Sequence, residues 1–86
     1  MWEEIVMNFG EALELLKDWK SVQRKNWNGK WLYLTLQTPT EKSKMTRPYI
    51  YITVPKWNWW YNEKDFELIP WLASQSDLLS NDWIIY

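Results

Sequence analysis

The first clear pattern in the chain is an amphipathic one that predicts a helix. Apolar side chains recur at the spacing of one helix face: Phe9, Ala12, Leu13, Leu16 and Trp19. Asn8 precedes this run and Glu11 lies three residues after Asn8, which is the spacing of a capping box. We therefore expect the helix to begin after Asn8 and to run for about three turns.

Two later segments alternate in a way that predicts β-strands, at residues 31–37 and 49–54. In both, every second residue is a branched aliphatic one that would face the helix: Leu32, Leu34, Leu36, Ile50, Ile52 and Val54. The polar stretch 38–48 between them contains two prolines and predicts a loop. Shorter elements are expected as strands at 21–25, 66–71 and 83–86, and as a helix at 77–80 capped by Ser76.

The turn between the first two strands raises a question of register. Asn28-Gly29 is a favoured pair for a two-residue hairpin. Such a hairpin would place Leu34 opposite Gln23, so the core-facing position opposite Leu34 would be occupied by a polar side chain. We therefore expect a bulge or a longer loop, which would leave Trp27 free to project.

These elements predict an α+β fold, in which a small, mainly antiparallel β-sheet packs on one long N-terminal helix plus a short C-terminal helix. We expect residues 1–86 to form a single domain, with residues 1–6 as an N-terminal extension. The N-terminal arm at residues 1–7 is apolar and is expected to be either an extra turn of helix or an added strand. One helix covers only one face of the sheet. The other face would carry Tyr33, Tyr49 and Tyr51, so we expect a second copy of the chain to cover it, in a homotetramer or homodimer.

Composition narrows the function classes. Nine of the 86 residues are tryptophan, more indole than so small a core can bury. The chain has neither histidine nor cysteine, so the commonest general base and the usual zinc ligands are missing. We therefore expect a protein that is not an enzyme and that has no cofactor and no metal site.

Charge and hydropathy narrow the partners further. The net charge of −1 argues against polymeric nucleic acid, whereas a small anion needs only two or three cations. No apolar run approaches the roughly 18 residues of a membrane span. The acidic start of the chain is unlike a signal peptide, so we expect a cytoplasmic protein.

One group of candidate binding residues surrounds the predicted turn. Arg24, Trp27 and Asn28 combine a flat ring with cationic and amide groups, which suits a nucleotide-like ligand whose base stacks and whose phosphates pair with a cation. Two alternatives stay open, because Trp27 could instead cover the sheet edge and Arg24 could pair with an acid of its own chain.

A second group lies near the start of the short helix. Ser74 and Gln75 could present N–H and amide groups to a polar ligand. Asp77 and Asp82 could accept hydrogen bonds from a base amine or a ribose hydroxyl. Ordinary helix capping is the alternative explanation for this segment.

Four segments together resemble a known family. They are residues 7–13 (MNFGEAL), 24–30 (RKNWNGK), 45–50 (MTRPYI) and 70–79 (PWLASQSDLL), the last followed by Asp82 and Trp83. Their order and content are similar to the phage anti-Thoeris "sponge" family of the second type. The resemblance spans residues 7–83, and the chain departs from it in its N-terminal extension and in the tryptophan-rich segment at 56–61.

The resemblance implies a protein that binds glycocyclic ADP-ribose, the second messenger of bacterial Thoeris immunity, without cleaving it, in the cytoplasm of an infected host. It also implies homo-oligomers, similar to tetramers, with pockets between subunits. Trp27 matches the family's stacking tryptophan, and Ser74 to Asp77 match a segment near the pocket. Some relatives are similar to binders of cyclic oligonucleotides. The alternatives are therefore a sponge for cyclic oligonucleotides, a protein-interaction module and, from another class, a messenger-degrading hydrolase.

Overall fold

A computed structural model describes residues 5–27, 32–55 and 66–86. Within these residues the chain forms two helices and five strands: α1 (Phe9–Lys17), β1 (Val22–Arg24), β2 (Tyr33–Gln37), β3 (Tyr49–Pro55), β4 (Phe66–Pro70), α2 (Gln75–Leu79) and β5 (Trp83–Ile85). The strands form one sheet in the order β4-β3-β2-β1-β5, and every pair is antiparallel. The α+β architecture predicted from the sequence is confirmed. Over the described part of the chain, no helix is long and apolar enough to cross a bilayer.

The start of α1 is fixed by the predicted capping box. The Glu11 backbone N–H donates to the Asn8 side chain at 2.8 Å, and the Asn8 backbone N–H donates to the Glu11 carboxylate at 3.1 Å. These bonds satisfy two N–H groups that the first turn of a helix leaves without partners. The helix buries Ala12 and Leu16 against the sheet.

The end of α1 differs from the prediction, because Trp19 lies outside the helix. Trp19 has a φ of 67° and its side chain is 70% exposed. The Trp19 N–H donates to the Leu16 carbonyl at 3.1 Å and the Lys20 N–H to the Leu15 carbonyl at 3.0 Å. This is the Schellman pattern, in which the left-handed position is usually a glycine. Trp19 has the spacing of the apolar helix face, but α1 ends at Lys17, so the prediction that Trp19 belongs to this face is wrong.

The register of β1 and β2 follows the core rather than the shortest turn. Val22 pairs with Leu34. This pairing is one residue away from the Gln23–Leu34 pairing of a strict two-residue hairpin, so the strict hairpin register is absent, as predicted. The predicted bulge or longer loop falls partly outside the described residues. Both partners are fully buried, which explains the choice. The predicted turn at residues 28 and 29 lies outside the described residues, as does the aromatic segment at 56–65.

The face of the sheet under α1 carries the core. Fully buried side chains from α1, β1, β2 and β5 form its centre: Ala12, Leu16, Val22, Leu34 and Trp83. The predicted inward positions Leu36, Ile50 and Ile52 pack against this centre. The alternation in β2 and β3 therefore predicted the buried face correctly.

The opposite face is partly closed within the chain itself. Tyr33 contacts Tyr86 with ring centroids 4.1 Å apart, and Thr53 is buried. Tyr49 remains exposed. Cover by a second copy of the chain stays a prediction for this face.

The two edges of the sheet differ. At the β5 edge, Met7 forms an antiparallel bridge with Trp83, so this part of the N-terminal arm adds to the sheet. At the β4 edge, the Trp71 N–H donates to the Ile50 carbonyl, and the alternation of an antiparallel ladder then directs the peptide groups of Leu68 away from β3. Pro70 lies on this edge and has no N–H to offer.

The short helix α2 begins earlier than predicted. Its N-cap is Ser74 rather than Ser76, because Asp77 stands three residues after Ser74 and completes a second capping box. The Asp77 N–H donates to the Ser74 hydroxyl at 3.0 Å, and the Ser74 N–H donates to the Asp77 carboxylate at 3.1 Å. Along the chain α2 lies between β4 and β5, and in the fold it contacts α1.

Replacing Trp19 with glycine should stabilise the protein. Glycine adopts a positive φ without steric cost, so we expect Trp19→Gly to raise the free energy of unfolding by about 0.5–1 kcal/mol. Trp19→Ala is the matched control, since it removes the indole but keeps the Cβ that opposes this conformation. Urea denaturation measures both, and a glycine variant no more stable than the alanine variant would contradict the assignment.

Candidate functional site

Arg24 lies at the centre of a cluster that joins distant parts of the chain. Its Nε donates to Asp82 Oδ1 at 2.9 Å and its Nη1 donates to Asp77 Oδ1 at 2.9 Å. The Arg24, Asp77 and Asp82 side chains are 13%, 14% and 27% exposed. One guanidinium thus ties the end of β1 to α2 and to the residue before β5.

Both carboxylates are also held by backbone groups. The Asn26 N–H donates to Asp82 Oδ2 at 3.0 Å. Asp77 Oδ2 accepts the Ser74 N–H of the capping box. Each aspartate therefore binds Arg24 through one oxygen and the main chain through the other, which fixes the orientation of both side chains.

Trp27 packs against the core and contacts the Arg24 cluster. Its ring lies edge-on to Trp83, with centroids 5.3 Å apart and an interplanar angle of 78°. Its Nε1–H points to Asp77 Oδ1 at 3.5 Å. Trp83 in turn donates its Nε1–H to the Asp77 carbonyl at 2.9 Å. Trp27 is only partly buried, so its indole is held in place and still accessible.

Further rings extend this platform beneath α1. Phe9 contacts Trp83 at 5.2 Å and Trp71 at 5.7 Å between ring centroids, and Trp71 lies edge-on to Trp83 at 6.0 Å. We refer to Phe9, Trp27, Trp71 and Trp83 as the aromatic cluster. Trp83 is fully buried and supports the other three rings.

The charges of the site favour acceptance of hydrogen bonds by the Asp77 and Asp82 carboxylates. Burial on its own raises the pKa of Asp77, but hydrogen bonds from Arg24, Ser74 and Trp27 outweigh it and lower this pKa below the usual range. At Asp82 burial again acts to raise the pKa, and the bonds from Arg24 and Asn26 lower it. Two ionised carboxylates thus share one guanidinium, which leaves a net negative charge.

An open depression of about 410 Å³ adjoins the cluster, lined by Lys25, Asn26 and Asp82. Its lining combines a cationic, an amide and an anionic side chain. It provides room beside Asp82 for the polar part of a ligand.

The structure brings most of the predicted site residues together. Arg24, Trp27, Ser74, Asp77 and Asp82 are all members of one hydrogen-bonded cluster. For Arg24, the alternative of pairing with acids of its own chain is observed, and for Ser74 the alternative of helix capping.

Two predicted residues stand apart from the cluster. Gln75, the first residue of α2, is exposed and has no hydrogen bond recorded within residues 5–27, 32–55 and 66–86. Asn28 lies outside the described residues. Within the described ranges, no group of acidic side chains could hold a metal ion.

Sequence reasoning missed three side chains that shape the site. Asn26 was treated as turn context, Phe9 as a helix-face residue and Trp83 as part of a terminal strand. The sequence alone does not indicate that the rings of Phe9 and Trp83 are in contact. The proximity of Trp83 to Asp82 was the one usable signal, because a candidate ligand-contacting acid precedes a large ring.

Removing the central cation should destabilise the fold. Arg24→Gln leaves two carboxylates facing each other without a counter-charge, so we expect the free energy of unfolding to fall by about 2 kcal/mol, a value reduced for partial exposure. Lys17→Gln is the control, because it removes only the exposed 3.7 Å pair with Glu14 and should cost less than about 0.5 kcal/mol. Equal losses in urea denaturation would contradict the central role of Arg24.

The same cluster should make the fold sensitive to acid. Because the pKa values of Asp77 and Asp82 are lowered, the unfolded chain binds more protons than the folded one at low pH. The stabilisation is complete above the ordinary aspartate pKa of about 3.9 and is lost as the pH falls through the lowered values. Urea denaturation between pH 7 and 3 should show this decline, with a shallower slope in Arg24→Gln. An unchanged slope would assign the effect to other carboxylates.

Residues 7–86 match the model of the Tad2-like family, described as the Thoeris anti-defense 2-like domain. The chain is 35% identical over 83 residues to "Thoeris anti-defense 2" of Bacillus phage SP01, which covers 92% of this chain and 93% of that protein. The matched region includes both helices, all five described strands and the whole Arg24 cluster. The chain therefore belongs to the Thoeris anti-defense 2-like family.

Proposed function

We propose that this protein inhibits Thoeris immunity by binding a cyclic ADP-ribose-type messenger, glycocyclic ADP-ribose, and holding it without cleavage. Membership of the Thoeris anti-defense 2-like family supports the anti-defence role. The observation that carries the mode of action is the partly accessible ring of Trp27, which packs against Trp83 beside the ionised carboxylate of Asp77. The ligand class comes from the resemblance of the Trp27 and Ser74–Asp77 segments to the family's pocket motifs.

In this proposal the adenine of the messenger stacks on Trp27. An indole held edge-on by Trp83 loses little further freedom when a base stacks on it, so most of the stacking energy is retained. Such stacking is worth about 1–3 kcal/mol per base.

The carboxylates would contact hydrogen-bond donors of the ligand. Asp77 and Asp82 are ionised, so they accept hydrogen bonds and repel phosphate. A ribose hydroxyl or the adenine amine is the matching group. Gln75 and Asn28 would add contacts at the polar edge of the same ligand.

Arg24 has a different role in the proposal from the one that its sequence context suggested. Its charge is already balanced by two aspartates, so it acts mainly to position Asp77 and Asp82. Only two of its five N–H donors are used in these bonds, and a phosphate contact through Nη2 stays a prediction. The depression lined by Lys25 and Asn26 offers space for the phosphates.

Sequestration by mass action requires tight binding and no turnover. A nanomolar Kd corresponds to about −12 kcal/mol, more than one ring and two carboxylates supply in an open site. We therefore propose that copies of the chain assemble, as a dimer or tetramer, and close the pocket between them in the host cytoplasm. The absence of histidine and cysteine from the sequence supports binding without hydrolysis.

Replacing the stacking residue should weaken binding of the messenger. We expect Trp27→Ala to weaken the affinity for glycocyclic ADP-ribose by about 5- to 150-fold in titration calorimetry, from the loss of base stacking. Trp27→Phe should retain part of the affinity, and Trp19→Ala, which removes an exposed indole elsewhere, should bind normally. Circular dichroism checks the fold, since Trp27 also contacts Trp83.

An unchanged isotherm for Trp27→Ala would overturn this assignment. The fate of the ligand tests the second half of the proposal. After incubation and heat denaturation of the protein, mass spectrometry should recover the messenger intact, whereas a hydrolase would release product. Titration with cyclic dinucleotides and trinucleotides tests the alternative ligand class.

A protein-interaction module is the second candidate, favoured by one observation. Strand β4 exposes every side chain, including Leu68, which is 64% exposed, on an edge of the sheet. Apolar residues on an edge strand suit pairing with another chain. Capture of a stoichiometric protein partner that survives in Trp27→Ala would favour this function over sequestration.

A further inference from the structure

The ring of Trp27 is carried by a tight turn that follows β1. The Trp27 N–H donates to the Arg24 carbonyl at 3.2 Å, which is the bond that closes a four-residue β-turn. This bond uses the N–H of the last residue of the turn, so the N–H groups of the two central residues, Lys25 and Asn26, need partners from elsewhere in the chain. The position of Trp27 at the end of the turn therefore depends on those partners.

Asp82 is the partner of all three residues that precede Trp27. The Lys25 N–H donates to the Asp82 carbonyl at 2.9 Å, and the Asn26 N–H donates to Asp82 Oδ2 at 3.0 Å. The Arg24 Nε donates to Asp82 Oδ1 at 2.9 Å. Both carboxylate oxygens and the backbone carbonyl of one residue are thus bonded to the same turn, which restricts the conformations that the turn can adopt.

Asp82 is well placed to hold the turn because the residue after it is anchored in the core. Trp83 is fully buried and exchanges two backbone hydrogen bonds with Met7, at 2.9 and 3.1 Å. Arg24 and Trp83 are paired in the β1–β5 ladder, so the turn begins beside Asp82. A support that is built on a paired strand holds a side chain more precisely than a support on a loop.

The direct contacts of the Trp27 ring do not replace this support. Its Nε1–H lies 3.5 Å from Asp77 Oδ1, longer than the roughly 2.7–3.2 Å usual for such a bond, so this contact orients the ring weakly. Edge-on ring pairs are favourable over centroid distances of about 4.5–7 Å, so the contact with Trp83 alone does not fix the backbone of Trp27. The turn and its bonds to Asp82 therefore set the place from which the indole projects.

We propose that Asp82 is a positioning residue for Trp27: it holds the turn from Arg24 to Trp27 in one conformation, so that the indole is presented for stacking. The inference rests on the proposed function, in which the adenine of the messenger stacks on Trp27. It adds that Asp82 contributes to the affinity mainly through Trp27. Asp77 differs in this respect, because it contacts the turn through the side chains of Arg24 and Trp27.

The position of Trp27 is measured first without any ligand, in ¹H–¹⁵N NMR spectra of the full-length protein. The indole N–H signal of Trp27 is assigned by its absence from Trp27→Phe. Asp82→Ala removes two of the three bonds to the turn, so we expect the Trp27 indole signal and the backbone amide signals of Lys25 and Asn26 to shift or broaden. Asp82→Asn keeps one oxygen acceptor, and its signals should lie between those of Asp82→Ala and the unaltered chain.

Leu36→Ala is the control for a general loss of stability. Leu36 packs against the core from β2 and lies toward the opposite end of the β1–β2 pair from Arg24. This variant leaves a cavity but removes no bond to the turn, so the Trp27 indole signal should stay in place. Should Asp82→Ala not fold, Asp82→Asn carries the test. An unmoved Trp27 signal in the Asp82 variants, or an equal shift in Leu36→Ala, would overturn the inference.

A double-mutant cycle then separates positioning from direct contact. Asp82→Ala should weaken the affinity for glycocyclic ADP-ribose about tenfold in titration calorimetry. In the Trp27→Ala background the same change should weaken it less than about twofold, because the ring that Asp82 positions is no longer there. Equal losses in the two backgrounds would assign to Asp82 a ligand contact of its own and overturn the inference. If the unaltered chain does not bind the messenger, the proposed function fails, and the NMR comparison alone decides whether Asp82 positions Trp27.

Discussion

The bridge from Arg24 to Asp77 and Asp82 is the interaction on which the site depends. It fastens the end of a central strand to two segments that follow more than 50 residues later along the chain. Once the bridge is made, the Asp77 carboxylate is in place to receive the indole N–H of Trp27. A short helix of five residues could not hold this position by its own hydrogen bonds, so the ion pair and the Ser74 cap together define where α2 lies.

The chemistry of the site follows from the pairing of the Arg24 charge with Asp77 and Asp82. A guanidinium shared by two carboxylates leaves an acidic patch beside the partly buried indole of Trp27. Such a patch suits ligands that offer hydrogen-bond donors and flat rings more than ligands that offer only negative charge. The messenger of the ADP-ribose type proposed above would offer both, in its ribose hydroxyls and its adenine. In the proposed complex its phosphates would have to lie away from Asp77 and Asp82, which would constrain the orientation of the whole molecule.

Local patterns predicted the elements well, because helix and strand periodicity is set by the buried face. The same argument correctly rejected the pairing of Leu34 with Gln23, and the structure pairs Leu34 with the buried Val22 instead. Trp19 was wrongly assigned to the helix because its spacing continues the apolar face of α1, although α1 ends at Lys17. For α2 the signal was present, since Asp77 stands three residues after Ser74 and only one after Ser76.

The site was harder to predict than the fold because its bonds join residues that are far apart along the chain. Residue type indicated that Arg24, Asp77 and Asp82 carry useful chemistry, but not that they satisfy one another. Phe9 and Trp83 belong to opposite ends of the sequence, and only the antiparallel return of β5 beside β1 brings them together.

The unequal edges of the sheet limit how copies of this chain can associate through their backbones. With Met7 bridged to Trp83 on one side, the β4 edge is the longer ladder still open within the described residues. If copies of the chain pair through this β4 ladder, as the proposed assembly allows, a twofold-related copy uses up the ladder of both chains. Pairing of this kind would give closed pairs rather than fibrils.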